Sequence, residues 1–334
     1  MAKYVIDEST LTNIADAIRG KTGKTNTLSP TQMADEVSNI STGSTDGLAN
    51  KIIDRSITEL TAADLFEVTK IGYNAFANCT KLTSVVIPSN VTYVDCYAFH
   101  ACDKLVSVTA HDNVIFQVAA FAVCPSLTEF TIPRGMKEIT STLFSRCTKL
   151  ESVTIHDEVT TIKDSAFYGC TALSQLTIPA SVTSIESLAF QNVGTANGLT
   201  LTMLGAEPPT LNSNLVTQNL QIIVPNGCGD IYRYADGWST YAEYIKEIQE
   251  ITYEDPSGTA TTIQYVEGMT WAEWCESSHN TLGWYSDGMN IITDGIQSDN
   301  PTSCLWYTDE YGDSFAVVGG ETIDENYTYN IGSY

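Results

Sequence analysis

Phenylalanine recurs at positions 76, 99, 121, 144, 167 and 190, at spacings of 23, 22, 23, 23 and 23 residues. All but Phe144 follow an alanine; Phe144 follows Leu143. Three residues after the first five come Cys79, Cys102, Cys124, Cys147 and Cys170, and three later again Leu82, Leu105, Leu127, Leu150 and Leu173. The pattern continues with Val85, Val108, Phe130, Val153 and Leu176, then Ile87, Ala110, Ile132, Ile155 and Ile178. Val91, Val114, Met136, Val159 and Val182, and then Val94, Phe116, Ile139, Ile162 and Ile185, close the unit. The single 22-residue step is a deletion between Val114 and Phe116. One such unit cannot bury its own apolar side, whereas stacked coils bury one another, so each column becomes a ladder in a continuous core. The Leu-x-x-Val-x-Ile stretch has strand spacing and predicts a parallel sheet with coils ~4.8 Å apart. The Phe-x-x-Cys-x-x-Leu stretch has spacings of three, which predicts a helical or 3₁₀ turn on the opposite side.

The run Ala-Phe-x-x-Cys-x-x-Leu-x-x-Val-x-Ile-Pro, from about Ile53 to Tyr241, resembles the BspA-like (Treponema pallidum-type) leucine-rich repeat. The resemblance implies a non-catalytic adhesion and recognition module of the kind found on bacterial surfaces and in phage virions. The expected fold class is an α+β repeat: a solenoid with a parallel β-sheet, short N-terminal helices and a small β-rich C-terminal domain.

The flanks divide the chain further. Residues 1–42 carry Leu11, Ile14, Ala15 and Ile18 at helical spacing, then Ser29-Pro30-Thr31-Gln32 as a helix start before Met33, Val37 and Ile40. Two helices this short do not hold a core alone. They are expected to dock onto another chain or to drive homo-oligomerisation, for instance as a trimer. The run from Leu11 to Val37 resembles an N-terminal module of phage tail and baseplate-associated proteins. Residues 43–51 read as a linker, 52–198 as about six coils, and 199–250 as a cap. In the cap, Gly237-Trp238-Ser239-x-Tyr241 resembles the closing element that follows such repeats, with Trp238 expected over the open end of the core. Residues 251–334 read as a small acidic, aromatic-rich β domain, with strands expected at 261–266, 291–292 and 315–318 and a short helix at 269–274. Its Gly268-Met-Thr-Trp271-x-x-Trp274 element with Ser278-His279-Asn280 resembles small terminal modules of phage tail proteins.

The formal net charge is −24, and residues 251–334 contain no Lys or Arg. Such a surface repels phosphate backbones and anionic membranes, so neither nucleic acid nor membrane insertion is an expected partner. No apolar run is long enough for a transmembrane helix, and the first residues lack the apolar core of a secretory signal. That implies retention in the cytosol or exit by another route. A five-member cysteine ladder cannot pair completely and reads as packed, reduced thiols, while Cys96, Cys228, Cys275 and Cys304 show no metal-ligand spacing. His111 and His156 stand in the column held elsewhere by Pro88, Pro133 and Pro179, which points to turns rather than catalysis. No nucleophile, phosphate-binding or zinc motif is present, so no enzyme activity, cofactor or metal is expected.

The candidate ligand surface is the outward side of the strand ladder, Ser84, Thr109, Glu129, Thr131, Ser152, Thr154, Gln175 and Thr177, together with Trp284, Tyr285, Trp306 and Tyr307 of the terminal domain. The functional expectation is a phage or prophage tail-associated protein, a tail fibre or receptor-binding protein in the virion. Its N-terminal helices would join other tail subunits and its outer parts a host-surface glycan or protein. The alternative is a bacterial cell-surface adhesin binding host protein or glycan; a glycan hydrolase is the remote third.

Overall fold

The structure is a computed structural model. It describes residues 55–66, 68–215, 218–254 and 260–270, residue 273, and in the terminal segment the strands at 283–284, 291–292, 303–308, 314–316 and 328–333. The N-terminal helices at 11–18 and 30–40 and the linker lie outside the described residues. The chain forms two compact units, one containing residues up to Ile222 with Tyr234–Ala242, the other Ile223–Arg233 with Glu243 onward.

In the first unit each coil contributes two strands. They are β1 (Glu59–Leu60) and β2 (Lys70–Ile71), β3 (Ser84–Ile87) and β4 (Tyr93–Val94), β5 (Ser107–Ala110) and β6 (Ile115–Phe116), β7 (Glu129–Thr131) and β8 (Glu138–Ile139), β9 (Ser152–Thr154) and β10 (Thr161–Ile162), β11 (Gln175–Ile178) and β12 (Ser184–Ile185), and β13 (Leu199–Met203) and β14 (Thr210–Leu211). Odd strands pair in parallel with the next odd strand, as in Val85↔Val108, Phe130↔Val153 and Leu176↔Leu201. Even strands form a second parallel ladder, as in Val94↔Phe116 and Ile162↔Ile185. Sequence analysis read this second ladder only as a turn back to the next coil. Both ladders lose strand pairing between the coil that starts at Ser107 and the next, at the one-residue deletion; the odd ladder is also interrupted between β9 and β11.

The third side of each coil corrects the expected helical turn. Counting from the column Phe, the residues two before and two after have left-handed backbone in every coil: Asn74 and Asn78, Tyr97 and Ala101, Ala119 and Val123, Thr142 and Arg146, Ser165 and Gly169, Leu188 and Asn192. This conformation turns alternate amides outward along the stack. The N–H groups of Asn74, Phe76 and Asn78 donate to Cys96 O, Ala98 O and His100 O of the next coil, and the same three bonds recur at every later step to Gln191. The intervening amides bond within the coil, as Ala75 to Gly72 O and Ala77 to Asn74 O. A 3₁₀ helix would send every amide back three residues. Here half go to the neighbour, so the segment is a third ladder. Among the described residues, helical elements of more than one residue are confined to α1 (Gly229–Tyr234) and a 3₁₀ turn at Ser239–Tyr244. The solenoid is therefore a β-solenoid rather than the expected α+β repeat.

The interior follows from the columns. The rings of Phe76, Phe99, Phe121, Phe144, Phe167 and Phe190 stack with interplanar angles of 5° to 16°. Their centroid spacing is widest, at 6.3 Å, between Phe121 and Phe144, where Phe130 presents its ring to both at 5.2 and 4.8 Å. The shortened coil has Ala110 in the isoleucine column, and Phe116 and Phe130 restore apolar volume around it. The cysteine column does more than fill space. The thiols of Cys102, Cys124, Cys147 and Cys170 lie 3.1–3.2 Å from Phe76 O, Phe99 O, Phe121 O and Phe144 O of the preceding coil, to which they donate. All five column cysteines are buried, and none of them forms a disulfide. Burial pushes the thiols of Cys147 and Cys170 well above their ordinary range.

Because the turn ladder runs N–H toward the C-terminal neighbour throughout, its two ends need opposite partners. At the start, Arg55, itself left-handed (φ 57°), donates from Nη1 to Ala75 O (3.4 Å). At the finish, the Phe190 amide donates to the Oγ of buried Ser213 (2.9 Å). Trp238, fully buried, covers the last coil and donates from Nε1 to Pro209 O (2.7 Å), and Tyr241 Oη accepts from the Leu215 amide. Gly237 (φ +82°) lets the chain pass: a Cβ there would sit 2.4 Å from Leu211 O.

The next strand, β15 (Leu220–Val224), runs from the first unit into the second. In the second unit, β16 (Ile245–Glu254) pairs antiparallel with β17 (Ala260–Val266) and parallel with the final strand at Thr328–Ser333. The strands expected from sequence at 261–266, 291–292 and 315–318 appear as Ala260–Val266, Ile291–Ile292 and Ser314–Ala316. Glu247 accepts from the amides of Gly227 and Gly229 at the start of α1, and Arg233 pairs with Asp230, Glu247 and Glu267.

Truncating Phe144 to Ala is expected to destabilise the chain by about 3–5 kcal/mol in urea titration, whereas the same change at Phe66, which is 77% exposed, costs within about 0.5 kcal/mol. In the native protein the five column cysteines are expected to resist alkylation until the stack opens, with half-buried Cys96 labelled first; peptide mapping after a timed iodoacetamide pulse reads the order.

Candidate functional surface

The outward residues of the odd ladder are where the sequence placed them. Ser107, Glu129, Ser152 and Gln175 are exposed, Ser84 is half-buried, and Thr109, Thr131, Thr154 and Thr177 are exposed. The period of two puts their neighbours Val85, Phe130, Val153 and Leu176 into the core, so alternate side chains face solvent. Strand pairing holds the rows in register from β3 to β5 and from β7 to β9, through Ser84↔Ser107, Glu129↔Ser152 and Thr131↔Thr154, and is interrupted between β5 and β7 and between β9 and β11. Thr200 and Thr202 of β13 extend both rows by one coil, opposite Gln175 and Thr177. Sequence analysis missed them because Leu199-Thr-Leu201-Thr lacks the preceding Phe and Cys. This side offers hydroxyls, one amide, the exposed Val86 and two carboxylates, Glu59 in the first strand and Glu129, and suits hydrogen-bonded recognition of an extended partner.

Charges on the narrow even ladder are mostly spent on one another. Lys70 pairs with Asp95, Arg134 with Asp157 and Lys137 with Glu158, while Lys163 sits between Glu138 and Glu186. Hydrogen bonding to Glu186 raises the Lys163 pKa and hydrogen bonding to Lys137 lowers that of Glu158. Pairs this exposed contribute little to stability.

The histidines of the proline column serve turns. Nδ1 of His111 accepts from the Asn113 amide, and Nε2 lies 2.8 Å from Val91 O of the previous coil. His156 repeats this with Glu158 and Pro133 O. A ring that accepts at Nδ1 and faces a carbonyl at Nε2 is the neutral Nε2–H tautomer. Both imidazoles stitch one coil to the last, and neither adjoins a nucleophile that it bonds.

Of the terminal-domain candidates, Trp284 lies in the strand Gly283–Trp284, and Trp306 and Tyr307 lie in Ser303–Thr308, opposite Asn330 and Tyr329. Tyr285 falls outside the described residues, as do Trp271 and Trp274. Thr270 and Glu273 exchange the backbone and hydroxyl bonds of a capping box, as the expected helix start at 269–274 requires. Sequence analysis also passed over the outer side of the turn ladder, where Tyr97, His100, Arg146 and Tyr168 line a groove.

A search of curated proteins finds no match. Among solved structures, a leucine-rich cell surface protein from Faecalibacterium prausnitzii A2-165 is 28% identical, with 47% of this chain and 52% of that one covered at a TM-score of 0.37. This chain thus spans about half the length of that protein. Leucine-rich repeat proteins from Eubacterium ventriosum ATCC 27560 (24% identity, 53% and 68% covered, TM-score 0.26) and Bacteroides ovatus ATCC 8483 (21%, 49% and 63%, 0.28) also match. The family described as the BspA type leucine-rich repeat region matches in six copies over residues 57–197. That span is the stretch over which the Phe, Cys and Leu columns stack, and it is there that the chain is similar to the BspA-type leucine-rich repeat.

Proposed function

We propose that the chain is a non-catalytic attachment protein whose solenoid presents its odd-ladder face to a host protein or glycan at a bacterial surface. The observation that carries this reading is the pair of solvent-facing rows Ser107, Glu129, Ser152, Gln175 and Thr109, Thr131, Thr154, Thr177 on stacked coils, with Glu129↔Ser152 and Thr131↔Thr154 in register. A rigid array loses little entropy when a partner binds across several coils. The repeat family supports it, because its members are adhesion and recognition modules. The tail-fibre reading rests on a different observation, the resemblance of Leu11 to Val37 to a phage-associated module. In that reading the same solenoid is a recognition arm, and residues 1–42 join it to other tail subunits as a homo-oligomer.

Retention of the labelled full chain on immobilised mucin and matrix glycoproteins tests the proposal. Replacing Thr131 and Thr154 with Arg is expected to cut retention by about tenfold or more without changing the melting temperature. Retention equal to that of the unaltered chain, or none at all for either, overturns the reading. Deleting residues 1–51 leaves retention intact if the chain acts alone at a cell surface, and removes it from particles if it is a tail component.

A further inference from the structure

The outer side of the turn ladder is cut by a groove of about 340 Å³ lined by Tyr97, His100, Ala119, Ala122, Val123, Thr142, Ser145, Arg146, Ser165 and Tyr168. Its origin is a column effect. At the positions two before and one after the Phe, the second coil has Tyr97 and His100, the third only Ala119 and Ala122, the fourth Thr142 and Ser145, and the fifth Ser165 and Tyr168. Small side chains over two coils leave a trough between aromatic walls ~14 Å apart at one coil spacing per step. The near wall is braced: Tyr97 meets Tyr73 edge-on at 5.8 Å and His100 at 5.7 Å. Tyr97 is exposed, and His100 and Tyr168 are half-buried, so their rings remain available to a ligand.

The charge of this side differs from that of the chain. No carboxylate lines the groove. Of the four arginines described, Arg146 alone has a side chain with no hydrogen-bond or ion-pair partner among the described residues, and its Cγ lies against Gly169 of the next coil. Next to it runs the column two residues after the Cys, which holds exposed Lys81, Lys104 and Lys149, none ion-paired among the described residues. Across the five columns from one residue after the Phe to two after the Cys, over all six coils, the only acid is Asp103. Burial lowers the pKa of His100, so the groove's cation at neutral pH is Arg146.

We propose that this groove binds a short carboxylate-bearing oligosaccharide: the carboxylate on Arg146, the sugar faces against Tyr97 and Tyr168, and ring hydroxyls on Thr142, Ser145 and Ser165. A planar guanidinium with no competing acid matches a carboxylate in two hydrogen bonds, and aromatic rings offer the flat apolar contact a pyranose face takes. A long polyanion would feel the repulsion of the −24 net charge, whereas a trimer-sized acid brings little charge of its own. This site rests on the attachment reading but occupies another side of the coil, so the two are separable.

Calorimetric titration of the full chain with trigalacturonate, its methyl ester and a hexaglutamate peptide tests the assignment. Trigalacturonate is expected to bind, with the ester at least about tenfold weaker and the peptide weaker still. Arg146→Gln and Tyr168→Ala each reduce trigalacturonate affinity about tenfold or more at an unchanged melting temperature, whereas Thr131→Arg with Thr154→Arg leaves it as it was. Equal binding of the ester or the peptide, no binding of trigalacturonate, or indifference to Arg146→Gln overturns the proposal. If only the Thr131 and Thr154 changes matter, the groove is excluded while recognition by the sheet face stands.

Discussion

The hydrogen bonds that alternate amides of the turn side donate to the next coil set the terms for the rest of the molecule. Left-handed backbone costs about 1–2 kcal/mol at a non-glycine residue, and each coil adopts it twice, even at Val123, Leu188 and Thr142. The cost is met only when a neighbouring coil accepts all three bonds in register. That requirement holds the coil at 22 or 23 residues and makes an isolated unit unstable. It also gives the ladder a direction. At its C-terminal end the unserved Phe190 amide is taken by the hydroxyl of Ser213, much as a helix cap takes an orphan amide.

The same geometry explains the cysteine column. The Phe carbonyl points inward, where water is absent, and a second donor from the coil above improves its satisfaction. A thiol is small and apolar enough for the core and still carries a weak donor, which alanine lacks. In the last coil Val193 takes that place; it is buried and brings no donor, and Trp238 closes the stack beyond it. Seen this way, the thiols are a packing feature, and burial, which raises the pKa of Cys147 and Cys170, keeps those two protonated.

Much of this was legible because burial acts on side chains that recur in columns. The Phe, Cys, Leu and Ile positions, the parallel odd strands and the outward rows all follow from which residues repeat, whereas the capping role of Trp238 came from the resemblance of its segment to a closing element. The alternating backbone of the turn side was not legible, because its signature residues are scarce: only Asn74, Asn78, Gly169 and Asn192 favour left-handed backbone, and Tyr97, Ala119 or Ser165 give no hint. Spacings of three therefore looked helical when the hydrogen bonds ran sideways. Two-residue even strands such as Tyr93–Val94 are too short for an alternation signal. At the candidate surface, Thr200 and Thr202 escaped because the final coil dropped its marker residues. The groove escaped because it is made by what is missing at Ala119 and Ala122 rather than by a motif.

A triangular coil presents different outer sides to solvent, and here they differ in chemistry. The odd ladder carries mostly hydroxyls, with two carboxylates, Glu59 and Glu129. The even ladder carries ion pairs that neutralise one another, as Lys163 does with Glu138 and Glu186. The turn side keeps unpaired cations and partly exposed aromatic rings beside a trough. In a chain this acidic, the unpaired guanidinium of Arg146 is electrostatically favoured to acquire a carboxylate, yet none of the lining residues supplies one. Residues that a repeat leaves free to vary are those facing outward, so departures from periodicity there carry no packing benefit of their own. The large-small-small-large run from Tyr97 to Tyr168 is such a departure, set on the most rigid backbone of the coil. Rigid placement of sparse polar and aromatic groups is what selective recognition of a small, flexible ligand requires, because the ligand alone then bears the ordering entropy.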